Sequence, residues 1–198
     1  MMKQQLKAMK IKVVGSVLLI AVLIAGMTLA VGAETTVPSF PQPVLVTSAG
    51  QCIDWQTTKM LVQRLGIKFT VNPTVEPTKL KKAAIKTMIV VVGHSLKGLG
   101  SAGISEKDEL ARVKRVLVAA KKKKVSVVLF HLGGDMRRGP TSQPFIDATL
   151  AYSKFVVVYK SGNTDKYFTK YCTKHKIPML ELDKVIDVKD VLKKMFNI

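Results

Sequence analysis

Four glycine-rich segments carry most of the residues able to do chemistry. The first is Thr47-Ser48-Ala49-Gly50-Gln51. The second, 93–103, holds His94, Ser95, Lys97, Gly98 and Gly100. The third, 131–139, holds His131, Gly133, Gly134, Asp135, Arg137 and Arg138, and the fourth, 160–163, ends in Asn163. Clustered glycines let backbone N–H groups converge, and Lys97, Arg137 and Arg138 add full positive charge. Arginine grips a carboxylate or phosphate through two parallel bonds. Ser48, Gln51, Ser95 and Asn163 supply neutral donors that would orient such a group. Together these residues specify a pocket for a small anion. The competing reading makes Gly133-Gly134 a plain turn and leaves Arg137 and Arg138 solvated or paired with Asp135.

Catalytic constellations are thinner. His131 and Asp135 with Ser48 or Ser95 as nucleophile would make a hydrolase or transferase, yet neither serine sits in a G-x-S-x-G elbow. His94, His131 and Asp135 have the ligand types of a two-His-one-carboxylate centre. No H-x-x-x-H or paired-cysteine spacing supports a metal, and none is expected. Gly98-Leu99-Gly100-Ser101-Ala102-Gly103 matches G-x-G-x-x-G, but it stands beyond its strand and in the third βα unit. A lysine run lies about twenty residues on, where a ribose-binding acid belongs. The 93–98 spacing fits a P-loop, but Leu99-Gly100 replaces the required Lys-[Ser/Thr]. No cofactor is expected.

Strand and helix signals alternate along the chain. Apolar runs at 44–46, 67–71, 88–92, 125–130, 155–159 and 179–182 read as strands, those at 88–92 and 125–130 apolar on both faces. Ser48 and Gln51 have capping-box spacing for a helix running to about 65, with Gly66 as its stop. A short lysine-rich helix is expected at 79–86. Ser105 caps the next helix, with Asp108 at N3, Glu106 and Glu109 in the first turn, and a stripe of Leu110, Val113, Leu117 and Ala120. Further helices begin at Pro144, after Asn163 and at Asp187. The alternation predicts an α/β fold: a doubly wound parallel sheet of five to six strands in a flavodoxin- or Rossmann-like three-layer sandwich. The expected strand order is 2-1-3-4-5 with strand six at the edge. All four segments then fall at the carboxyl ends of strands, the edge where such sheets bind ligands. The anion reading requires Lys97 and Arg137 to share that rim.

The chain has 198 residues, 32 Lys+Arg against 13 Asp+Glu, a formal net charge of +19, and 47% hydrophobic residues. That composition is globular rather than disordered and fits one domain. Lys3, Lys7, Lys10 and Lys12 precede an uncharged apolar run at 13–29 and then Ala30-Val31-Gly32-Ala33. This is the pattern of a signal peptide at 1–33 cut before Glu34, the alternative being an N-terminal anchor. Either way the remainder is exported. A proline-bearing linker occupies 34–42 and a single domain 43–198. Cys52 and Cys172 fall near opposite edges of the sheet, too far apart to bridge. So basic a surface suits a small anionic ligand, and also anionic lipid or wall polymer as partners. Export and the sparse aromatics, 6% and not interleaved with basic residues, argue against nucleic acid. The 121–124 lysine run falls at a helix C-terminus, where cations oppose the dipole.

Leu45-Val46-Thr47-Ser48-Ala49-Gly50-Gln51, Lys97-Gly98-Leu99-Gly100-Ser101-Ala102-Gly103-Ile104, Gly133-Gly134-Asp135-Met136-Arg137-Arg138-Gly139 and Gly162-Asn163-Thr164-Asp165 together resemble a family of exported bacterial α/β proteins of unknown function. The resemblance runs from Pro43 to the C-terminus. It implies the domain limits and the fold, and supplies no mechanism. The residues themselves favour an exported binding module for a carboxylate or phosphate. The hydrolase or transferase, and a cell-surface protein held by charge without a pocket, are the alternatives.

Overall fold

The computed structural model describes residues 36–82 and 84–198, so the expected signal or anchor segment at 1–33 lies outside the described residues. Among the described residues six strands alternate with seven helices: β1 Val44–Ala49, α1 Trp55–Arg64, β2 Phe69–Val71, α2 Pro77–Lys82, β3 Thr87–Val92, α3 Leu96–Ala102, α4 Glu106–Lys122, β4 Ser126–His131, α5 Gln143–Leu150, β5 Ser153–Tyr159, α6 Tyr167–His175, β6 Met179–Leu182 and α7 Val188–Phe196. The strands form one parallel sheet in the order β2-β1-β3-β4-β5-β6. This is the doubly wound order expected from the sequence, with β6 at the edge.

Continuous apolar strands arise because both faces are covered. Alternate residues of one strand enter different cores: Leu45, Met88, Val90 and Leu129 pack under α2, α4, α5 and α6. Val44, Val46, Ile89, Val91 and Phe130 pack under α1 and α7. Phe130, Phe145, Phe155 and Phe168 are fully buried, each contributing roughly 1.5–3 kcal/mol. The α4 stripe is as expected, with Val113, Leu117 and Ala120 buried, and Ser105 Oγ accepts from Asp108 N at 3.1 Å. Asp187 precedes α7, whose Val188, Val191, Leu192 and Met195 are buried.

Three expectations need correction. Ser48 does not cap α1. It lies inside β1, which pairs with β3 as far as Ala49↔Val92, and Asp54 holds the N-cap position. Ladder bonds to β3 outcompete a local cap because they extend an already buried sheet. The 93–103 segment is not an open loop. Ser95 Oγ accepts from Gly98 N at 3.1 Å and starts α3, whose Leu99 is buried. The expected linker at 34–42 is docked over its last residues. Phe40 N donates to Met195 O at 2.7 Å, its ring stacks on Phe155, and Thr87 Oγ1 donates to Pro41 O.

Candidate functional site

At the carboxyl edge the chain leaves β1 toward β2 on one side, while β3 lies on the other. This reversal of winding opens a crevice between the segments after β1 and β3, where doubly wound sheets accept ligands. Its volume is about 740 Å³. Gln51, Ile53, Trp55 and Gln56 come from the β1–α1 segment, Pro73 and Thr74 from the turn after β2, and residues 95–98, 101 and 102 from α3 and its cap. Arg137, from the 3-10 turn Gly134–Arg137 after β4, completes the wall. Lys97 and Arg137 therefore share one rim. Two large apolar side chains in the crevice stay in solvent, Ile53 at 60% and Leu96 at 76% exposure. Beside them Trp55 is half-buried.

Arg137 is held from below. A Cβ on Gly133 would overlap Arg137 Cγ, and one on Gly93 would stand 3.1 Å from Arg137 Cβ. The two glycines thus admit the arginine stem between β3 and β4. Its Nη1 donates to His94 O at 2.9 Å. The guanidinium is aimed by the backbone and forms no ion pair among the described residues, leaving charge and donors to the crevice. Lys97 is exposed and likewise unpaired among the described residues.

The crevice floor rests on a buried ion pair that sequence reasoning missed. Glu109 is 0% exposed and Arg112 3%. Arg112 Nε donates to Glu109 Oε2 at 2.7 Å and Nη2 to Oε1 at 2.8 Å, a bidentate grip. The remaining valences tie three segments together: Arg112 reaches Ser48 O and Val75 O, and Glu109 Oε1 accepts from Gly50 N and Gln51 Nε2. Gln51 Nε2 also donates to Pro73 O. Gln51, expected to orient a ligand, lines the crevice with its Nε2 committed to these two acceptors, and its φ of 58° places it in the left-handed region. The signal was available. Glu109 and Arg112 extend the buried stripe of Val113, Val116 and Ala120 by helical spacing, so their side chains point inward too.

Of the other candidates, the structure brings Ser95 and Gly98 to the crevice wall and leaves the rest outside it. Ser48 is buried, with Oγ directed at Val91 O, and Ser95 Oγ caps α3. Arg138 donates to Gln143 and Asp165 and lies over Tyr167 and Phe168, clamping α5 to α6. Asn163 is buried; it donates to Thr169 and Glu181 and accepts from Phe168 N at the start of α6. Asp135 is exposed and meets the Ser161 hydroxyl. Gly134 takes the left-handed turn, φ 60°, and a Cβ on it would overlap Ser161 Oγ. Gly98 lies in the crevice wall, whereas Gly100 sits on the open side of α3. His94 Nε2 lies 3.2 Å from Glu106 Oε2 at the start of α4. No serine hydroxyl bonds a histidine ring among the described residues, and no group of three or more His, Cys, Asp or Glu there is arranged to hold a metal. Both cysteines are free. Burial and the Asp54 carboxylate push the Cys52 thiol up to about 12, away from thiolate chemistry.

His131 is fully buried, with Nδ1 3.1 Å from Val92 O and Nε2 3.1 Å from Gly134 O. A neutral imidazole has one N–H, so it satisfies one carbonyl and turns a lone pair to the other. Burial nevertheless dominates and holds its pKa below the ordinary 6.5. The unfolded chain then binds a proton near and below pH 6.5 that the folded chain does not. Stability is expected to fall as pH drops through this window, by at most about 1.4 kcal/mol per pH unit from this group. Urea midpoints from pH 7.5 to 5 check this (roughly the range set by the ordinary histidine value), and His131→Gln should flatten the fall.

A family model described as a domain of unknown function, DUF6305, matches residues 41–196. The chain belongs to this family. Among curated proteins none matches the sequence. Of solved structures, it is similar to a GDSL-like lipase from Bacteroides thetaiotaomicron at 11% identity and TM-score 0.33, covering 70% of this chain and 66% of that one. It thus spans just under two thirds of the lipase. An acylhydrolase candidate from Bacteroides fragilis matches at 11% identity and TM-score 0.33, over 78% of this chain and 76% of that one. Likeness at this level carries no argument about activity.

Proposed function

We propose that the chain is an exported binding module whose carboxyl-edge crevice takes a small molecule bearing a carboxylate or phosphate on an apolar body. One observation carries this reading: Lys97 and the backbone-anchored Arg137, from separate crossovers, line the same crevice as exposed Ile53 and Leu96. Cations alone would attract any anion and be screened beyond about 8 Å. An apolar wall beside them adds affinity for a ligand that carries both features, at roughly 25 cal/mol per Å² of apolar surface covered.

The test is calorimetric titration of octanoate, 3-phenylpropionate and phenyl phosphate against octanol and 3-phenylpropanamide, at low and high salt. Saturable binding of the anions with little binding of the neutral partners is expected. Arg137→Ala should raise Kd tenfold or more, about 1.5–3 kcal/mol for a lost charged hydrogen bond, with partial recovery in Arg137→Lys. Equal binding of charged and neutral probes, or no effect of Arg137→Ala, removes the proposal.

A further inference from the structure

The opposite edge of the sheet has its own chemistry. Lys68 precedes β2, Lys86 precedes β3, Lys121 and Lys124 precede β4, Lys154 is the second residue of β5, and Lys176 precedes β6; all six are exposed. Because the strands are parallel and adjacent, these lysines stand along the amino edge. With neighbours about 4.8 Å apart, the row is on the order of 24 Å long. Apart from Asp147, every Asp and Glu among the described residues lies at a strand C-terminus or in or beside the first turn of a helix. Asp147, within α5, is turned to the Tyr167 hydroxyl at the start of α6. Helix dipoles account for Lys121 in the last turn of α4, but not for Lys68, Lys86 or Lys154, which belong to strand starts.

A second observation concerns where the chain enters. Phe40 N donates to Met195 O, and Asn197 Nδ2 donates to Ser39 Oγ at 2.8 Å. Entry is thus beside the end of α7, at the lysine edge. The sequence upstream of that point contains the apolar run at 13–29. We propose that the amino edge is a docking face for an anionic lipid bilayer, which leaves the carboxyl-edge crevice open on the far side. A bilayer is an extended anionic surface, so cations spread along one edge meet several headgroups together. The chain upstream of Ser39 is thus continuous with the lysine edge.

The full chain is titrated with vesicles of phosphatidylcholine with and without phosphatidylglycerol, across a salt series. The apolar run and the four lysines before it are common to every variant, so the docking face appears as the part of the phosphatidylglycerol-dependent, salt-sensitive increment that changes with the edge lysines. Lys86→Glu/Lys124→Glu should cut that increment at least tenfold. Lys107→Glu/Lys160→Glu makes the same charge change at the carboxyl edge and should leave most of it. Thermal melts of both variants establish that each is folded. Absence of a phosphatidylglycerol-dependent increment overturns the proposal, and so does an equal loss in the two variants. Heparin binding that depends on Lys86 and Lys124, without vesicle recruitment, would assign the face to a soluble polyanion and overturn it too.

Discussion

Replacing Glu109 by alanine is expected to lower the unfolding free energy by about 3–5 kcal/mol, the cost of leaving a buried charge without its partner. Arg112 would keep its bonds to Ser48 O and Val75 O but lose both bonds to Glu109 at 3% exposure. Gly50 N and Gln51 Nε2 lose their shared acceptor in the same step. The pair stabilises little relative to an apolar replacement, because desolvation offsets most of the Coulomb attraction. Its value lies in geometry, since four bonds from two side chains hold the end of β1 and the segments after β1 and β2 against α4. Urea unfolding reads the effect as a lower midpoint at unchanged slope. Adding Arg112→Leu to Glu109→Ala removes the orphan charge and should make the double variant no less stable than the single one. A loss under about 1 kcal/mol for Glu109→Ala would mean water reaches the pair.

Gly98→Ala is expected to be nearly as damaging, for a different reason. A Cβ at this position would overlap the Gln51 carbonyl oxygen, a backbone atom. Gln51 cannot move aside cheaply, because its side chain is bonded to Glu109 and Pro73 and its backbone bridges to His94. Either α3 lifts from the β1–α1 segment or Gln51 leaves its bonds, at about 3 kcal/mol by comparison with overpacked cores. Gly100→Ala is the internal comparison: nothing lies within 4 Å of its Cβ and the helix gains propensity. Urea midpoints should separate the two variants clearly, with Gly100→Ala at or above the parent. Because Gly98 also lines the crevice, anion titration of any folded Gly98→Ala chain should show weakened binding.

Strand-level features were readable because they follow from periodicity alone. The apolar runs at 88–92 and 125–130 have one explanation in a chain with intervening helices, a sheet covered on both faces. The α4 signals, Ser105 with Asp108 and the Val113, Leu117, Ala120 stripe, are local and survived intact. Ser48 misled because its spacing to Gln51 imitates a capping box, while pairing with β3 claims the same backbone. The 93–103 glycines misled in the other direction. Their low helix propensity hid α3, which the Ser95 cap and buried Leu99 sustain. At the site, Lys97 and Arg137 were legible as chemistry, whereas Ile53 and Leu96 were not, since an exposed apolar residue has no local signature.

By itself, then, the amino-acid sequence determined the sheet, its order, and the end of it at which polar and glycine residues gather, because each of these follows from local pattern and chain connectivity. Which of those residues remain open to a ligand was decided only by tertiary structure. Arg137 and Arg138 are neighbours of the same type, yet one lines the crevice and the other is spent on Asp165, Gln143 and two aromatic rings. That division depends on side chains brought in from 27 residues away and from α5 and α6. No spacing rule within the third segment contains it.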